Sequence, residues 1–207
     1  MTMTCLKSTG LLLASALMAT TVMAADGPSY TYGQVSYVDM EFDDLDGIDV
    51  DGDGFNFGGS VAIADMAHVF ASYTDGDIDI DDFGFGDISA DYTEVAAGIG
   101  LNYAVSETVD LVGRLAYVSA EIEVSGFEVD ENGYALGAGV RAMVMPQLEL
   151  NGGVTYTDLG DDFDSDTSLD LGAVYNFTDM FAAVGGISFS DDVTQYGIGV
   201  RLYFGDK

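Results

Sequence analysis

Four windows of this chain alternate apolar residues with small or polar ones at a strict period of two. In "VAAGIGLNY", Val95, Ala97, Ile99, Leu101 and Tyr103 share a face. In "VDLVGRLAY", Val109, Leu111, Gly113, Leu115 and Tyr117 oppose Asp110 and Arg114. "YALGAGVRA" sets Tyr134, Leu136, Ala138, Val140 and Ala142 against Arg141, and "LELNGGVTY" sets Leu148, Leu150, Gly152, Val154 and Tyr156 against Glu149, Asn151 and Thr155. Period two is the mark of a strand with one apolar face, and helical spacing fits none of these windows. After the N-terminal segment, no run approaches the roughly 18 apolar residues of a membrane-spanning helix, so a helical membrane protein is excluded.

The alternation repeats along the chain. Five small-residue-rich segments recur, "FGGSVAIAD", "AGIGLNYAVSE", "LGAGVRAMVMP", "LGAVYNFTD" and "YGIGVRLYF". The first four run into short turns near residues 64–66, 104–108, 143–147 and 178–180. Each turn leads into a returning strand: "AHVFASY", "VDLVGRLAY", "LELNGGVTY" or "FAAVGGISF". With an initial strand near residues 30–41 the chain holds ten strands, or eight if the first and last hairpins are miscounted. In that first strand Gly33, Val35 and Tyr37 belong on one face and Gln34 and Ser36 on the other, while Tyr30 and Tyr32 suit either. Five further connections, at 43–54, 75–91, 121–132, 158–166 and 190–193, carry most of the acid. They are longer, except the last. Because successive strands reverse direction, all five emerge at one end. The spacing therefore predicts short turns at one end and acidic loops at the other.

Charge narrows the function classes. The chain has 36 acidic residues against five basic ones, a formal net charge of −31. Nucleic-acid binding rests on Lys and Arg neutralising phosphates, so it is excluded as a role. Disorder goes with few aromatics and low hydrophobicity, whereas this chain is 48% hydrophobic and 12% aromatic. Lys7, the apolar stretch from Leu11 to Ala19 and the small-residue site Val22-Met23-Ala24 form a cleavable secretory leader over residues 1–24. Cys5, the one cysteine, falls within it, so residues 25–207 have no disulfide or thiolate metal site.

The last strand, "QYGIGVRLYF", puts Tyr196, Ile198, Val200, Leu202 and Phe204 on one face and Gly197, Gly199, Arg201 and Tyr203 on the other. This resembles the C-terminal signal strand of bacterial outer-membrane proteins. Residues 25–207 as a whole resemble the small outer-membrane barrels of the OmpA/OmpX type. The resemblance implies an all-β fold, a single antiparallel transmembrane up-and-down barrel in a Gram-negative outer membrane. Its loops would be extracellular and its turns and termini periplasmic. It also implies a monomer whose partners are membrane lipid and lipopolysaccharide, with the barrel-assembly machinery recognising the final strand. Closure has a physical reason, since backbone amides unpaired in lipid cost several kcal/mol each. Tyr103, Tyr117, Tyr156, Tyr175, Phe177 and Phe204 suit interfacial girdles. The rival arrangement, a soluble β-sandwich, would bury the same apolar face but leaves the polar inner face and one-sided loops unexplained.

Arg114, Arg141 and Arg201 all fall on the inward face, where they avoid the roughly 2–4 kcal/mol cost of arginine in mid-bilayer. A tight turn near Met145 sets Arg141 beside Glu149, with Asp110, Glu94 and Asp170 as further inward partners. Such a network either selects ions at a constriction or fills the lumen. Barrels of about eight strands are just filled by side chains, which favours filling. His68, the single histidine, sits beside the first short turn with no second histidine to assist it, so catalysis is not expected. The stretch "DVDGDG" places Asp49, Asp51 and Asp53 at alternate positions before Gly54, like the first half of an EF-hand loop. The bidentate Glu is replaced by Ser60, so at most a weak Ca²⁺ or Mg²⁺ site is expected there, and no other cofactor. The sequence thus points to a non-enzymatic structural or surface-interaction barrel. The alternative is a narrow, weakly cation-selective channel.

Overall fold

Alternation that continues around a ring needs no edge strand, and the computed structural model shows a closed barrel of ten strands, all antiparallel, in which β1 pairs with β10. The strands are β1 (Tyr32–Phe42), β2 (Val50–Ala64), β3 (Ala67–Ile80), β4 (Ile88–Ser106), β5 (Val109–Val124), β6 (Phe127–Met145), β7 (Leu148–Asp158), β8 (Asp166–Asn176), β9 (Phe181–Phe189) and β10 (Val193–Tyr203). The structure describes residues 27–42, 50–80, 88–124, 126–160 and 165–204. The leader expected over residues 1–24 and the candidate ligand Asp49 lie outside them.

The faces follow the periodicity. Ile99, Leu101, Leu115, Leu136, Val140 and Val154 stand outward, while Gln34, Ser36, Asn102, Asp110, Arg114, Arg141 and Glu149 are buried inside. Tyr30 and Tyr32 also turn inward. At the turn end, β2–β3, β4–β5 and β6–β7 each shift register just before the turn, at Ala62/Ala64, Ala104/Ser106 and Met143/Met145. A bulge at that position adds local twist and helps bend the strand into a ring.

The other end departs from the sequence reading. The described residues of the acidic stretches expected as long loops are mostly strand. β3 continues to Ile80, β4 starts at Ile88, β5 reaches Val124 and β6 starts at Phe127. Val124 pairs with Phe127 across the β5–β6 ladder, and Gly126 between them adopts φ +84°, a left-handed value that glycine takes without strain. Gly54, which closes the Asp49, Asp51 and Asp53 series, lies within β2. It pairs with Gly76 inside the β2–β3 ladder, and a side chain at either position would meet the opposing Cα at 2.7–2.9 Å.

The extra length is unevenly distributed. Strands β2 to β6 have 15, 14, 19, 16 and 19 residues, whereas β1, β7, β8 and β10 have 11 and β9 has nine. The rim is therefore slanted. In the tall part the face pattern keeps its period but exchanges its chemistry. Asp75, Asp77 and Asp79 point outward, while Ile78 and Ile80 point inward. Met40, Val50, Ile78, Ala90, Tyr92, Ala120, Leu159 and Val193 join one apolar cluster, packed against Phe42, Ile80, Ile122 and Val124. Apolar side chains cap the lumen at this end.

Candidate functional site: the lumen and its acidic rim

Inward polar side chains on a ring of strands converge because the wall leaves them no route to water. Near the turn end Arg141 (β6) donates from Nε to Glu149 Oε1 at 2.9 Å and from Nη2 to Oε2 at 3.2 Å. Both residues are at most 2% exposed. The sequence set them opposite one another, but in the ladder Arg141 faces Asn151 and Met143 faces Glu149, so the fork reaches diagonally. Asp110 stands directly across from Arg141 on β5 and accepts the Tyr30 hydroxyl at 2.8 Å. The Arg141 guanidinium lies 4.7 Å from the Tyr30 ring centroid, and that ring also stacks on His68 at 4.5 Å. His68 Nδ1 lies 3.4 Å from Asn102 Oδ1.

The other two arginines rest on aromatic rings as well. Arg114 lies 5.2 Å from the Phe70 centroid. Arg201 lies 4.1 Å from that of Tyr32 and donates from Nε to Gln34 Oε1 at 2.9 Å. Glu94 and Asp170, expected as further inward partners, each accept hydroxyls. Tyr92 reaches Glu94 at 2.9 Å, and Thr155 and Ser188 reach Asp170 at 2.9 and 2.6 Å. Above the Tyr30 layer a cavity of about 70 Å³ is lined by Ser36, Asn56, Arg114, Asp170, Gln195 and Arg201 among others. That is room for several waters, since one needs about 10–15 Å³ on this measure. Stacked rings and paired charges lie toward the turn end of this chamber and the apolar cluster lies toward the other.

Outside, the tall strands carry a row of carboxylates in direct register. Asp39, Asp53, Asp77, Asp91, Glu123 and Glu128 follow one another across β1 to β6. A second row runs Glu41, Asp51, Asp79. All are exposed. Like charges directly opposite destabilise a sheet pair by up to about 1 kcal/mol. Just below, tyrosines at the top of the apolar band point their hydroxyls at the acids. Tyr73 donates to Asp75 at 3.3 Å, Tyr134 to Asp158 at 3.4 Å and Tyr196 to Glu41 at 3.5 Å. The apolar band and the acidic collar thus meet along a tyrosine girdle.

The collar has a titration signature. Lost hydration first, then the nearby Asp91, Asp53 and Asp79, push the Asp77 carboxyl above its ordinary 3.8. In the pH window just above 3.8 the folded protein therefore binds more protons than the unfolded chain. Stability rises as pH falls through that window and is lost as pH rises through the elevated folded value. Denaturant unfolding at a series of pH values should show this negative slope, and Asp77→Asn should flatten it. A slope unchanged by Asp77→Asn would contradict the assignment.

Asp51 and Asp53 occupy this collar, two residues apart on an extended strand rather than on a loop that wraps an ion. Among the described residues no three His, Cys, Asp or Glu side chains are placed to hold a metal ion. The geometry offers these aspartates as part of a diffuse anionic surface. Tyr30 and the apolar cap escaped the sequence reading. Tyr30 continues the parity of the inward Gln34 and Ser36, and the cap is written in alternations such as "DIDI", both period-two signals masked by other features.

Comparison with known proteins bears on the fold. A family model described as "Outer membrane protein beta-barrel domain" matches residues 9–177. No curated protein sequence matches the chain. Among solved structures, the transport unit of the autotransporter AIDA-I from Escherichia coli aligns at TM-score 0.52 and 9% identity, covering 85% of this chain and 91% of that one. The KdgM porin, solved with disordered oligogalacturonate, aligns at 0.50 and 10%, covering 83% and 99%. The translocator domain of NalP from Neisseria meningitidis aligns at 0.50 and 10%, covering 85% and 89%. At such identities the likeness is one of fold alone.

Proposed function

Because the chain belongs to the outer-membrane β-barrel family, and so to the Gram-negative outer membrane, we propose that it acts there as a non-enzymatic surface protein with a closed lumen. The observation that carries this reading is the exchange of chemistry along the tall strands, with acids outside and an apolar cap inside. An interior that shuts above the membrane leaves the outward collar as the surface available for work. In this reading the collar is extracellular and the turns and termini are periplasmic. The protein functions as a monomer, and its final strand is the signal read by the assembly machinery. A non-enzymatic role is supported by the surroundings of His68, which are Tyr30, Asn102 and Phe70 rather than a nucleophile.

The collar's partner is the anionic lipopolysaccharide leaflet, approached through divalent cations. Two anionic surfaces repel at close range unless such ions lie between them, and carboxylate oxygens suit Ca²⁺ and Mg²⁺. Terbium luminescence on the refolded barrel should rise with binding and be reversed by millimolar calcium. Asp51→Asn with Asp53→Asn should weaken it. Binding indifferent to those substitutions would remove the collar from the account. Planar bilayers test the closed lumen and should record no steady conductance. Reproducible cation-selective steps would favour the narrow-channel alternative instead.

A further inference from the structure

The slot that holds Tyr30 is more completely furnished than packing requires. Tyr30 precedes β1, whose ladder partners are β2 and β10. Its side chain nevertheless crosses to three other strands: His68 on β3, Asp110 on β5 and Arg141 on β6. Together these supply what a phenol asks for: a flat ring against one contact face, a guanidinium over the ring and a carboxylate for the hydroxyl. Asp110 and His68 are 3% and 1% exposed, so without the tyrosine a buried carboxylate and a buried imidazole lose a principal neighbour. The ring also lies between the turn end and the chamber containing Ser36 and Asn56.

We propose that this slot is a phenol-binding site occupied by the protein's own N-terminal arm, and that its occupancy shuts the turn end of the lumen. The inference extends the closed-lumen reading and is independent of the acidic collar. Tyr30 is the plug, and His68, Asp110 and Arg141 are its seat. A free phenol of similar shape fits the same seat when the arm is withdrawn.

The test reads access to the chamber. Cys5, the one cysteine in the sequence, is replaced by serine, and Ser36→Cys places a thiol in the chamber wall. Methyl methanethiosulfonate should modify that thiol slowly in the refolded full chain. Adding Tyr30→Ala should accelerate modification on the order of tenfold, as local opening ceases to be required. Millimolar p-cresol should then slow the Tyr30→Ala protein while leaving the parent unchanged. Tyr30→Phe, which keeps the ring and loses the hydroxyl, should fall between them, and it carries the test if Tyr30→Ala does not fold. Equal rates with and without the tyrosine, or with Phe in its place where Ala fails to fold, overturn the plug while leaving a filled lumen intact. Fast modification of the parent overturns both. A Tyr30→Ala protein indifferent to p-cresol overturns the phenol site.

Discussion

Replacing Arg141 with methionine should lower the unfolding free energy of the refolded barrel by about 3–5 kcal/mol, as removal of one member of a buried ion pair does. The cause is what remains behind. Glu149 is 0% exposed and receives two hydrogen bonds from that guanidinium. Asp110 faces the same residue across the ladder, and the Tyr30 ring loses its cation. Replacing Arg141 and Glu149 together with apolar residues of similar volume should recover part of the loss, because Glu149 is then no longer stranded although Asp110 still lacks its cation. The chain has no tryptophan, so urea unfolding is followed by tyrosine fluorescence or circular dichroism. A loss below about 1 kcal/mol would show that water reaches Glu149 freely, since exposed pairs contribute only that much.

The second large effect separates lipid from water along a single wall. Leu115 faces outward and pairs in register with Ile99, in the middle of the apolar band. Leu115→Arg should cost about 2–4 kcal/mol, the penalty for a cation on the lipid face near the midplane. Asp77→Arg, on the same outer face but in the collar, should cost nothing and should stabilise the barrel. It replaces one carboxylate in a row of six with a partner for its neighbours Asp53 and Asp91. Both variants can be unfolded by urea in the same lipid. Equal costs would deny that the band and collar meet different solvents.

The sequence exposes some levels of this structure more readily than others. Strand number, inward arginines and the turn end are legible because a lipid-facing wall enforces an alternation that sequence displays directly, as in "VAAGIGLNY". The tall rim is harder to read. There Asp75, Asp77 and Asp79 alternate with Gly76, Ile78 and Ile80, a strand pattern whose outward members are charged. Acid density suggests loops, but exposed aspartates are tolerated on a strand whose opposite face buries isoleucines. The diagonal reach of Arg141 to Glu149 depends on the shifted register at Met143/Met145, which side-chain periodicity does not encode. Tyr30 lies before the first strand, where parity alone does not settle whether a tyrosine enters a lumen or an interface.

The slanted rim gives the barrel a front and a back within the plane of the membrane. The front, β2 to β6, stands tall and carries most of the carboxylate rows, while β8 to β10 stay short. Two copies drifting front to front would bring those rows together, with repulsion strengthening within about 8 Å at physiological salt. Back to back, they meet through low walls that lie outside the carboxylate rows. The uneven rim and the charge it carries would together favour the second approach between neighbouring molecules in a crowded membrane.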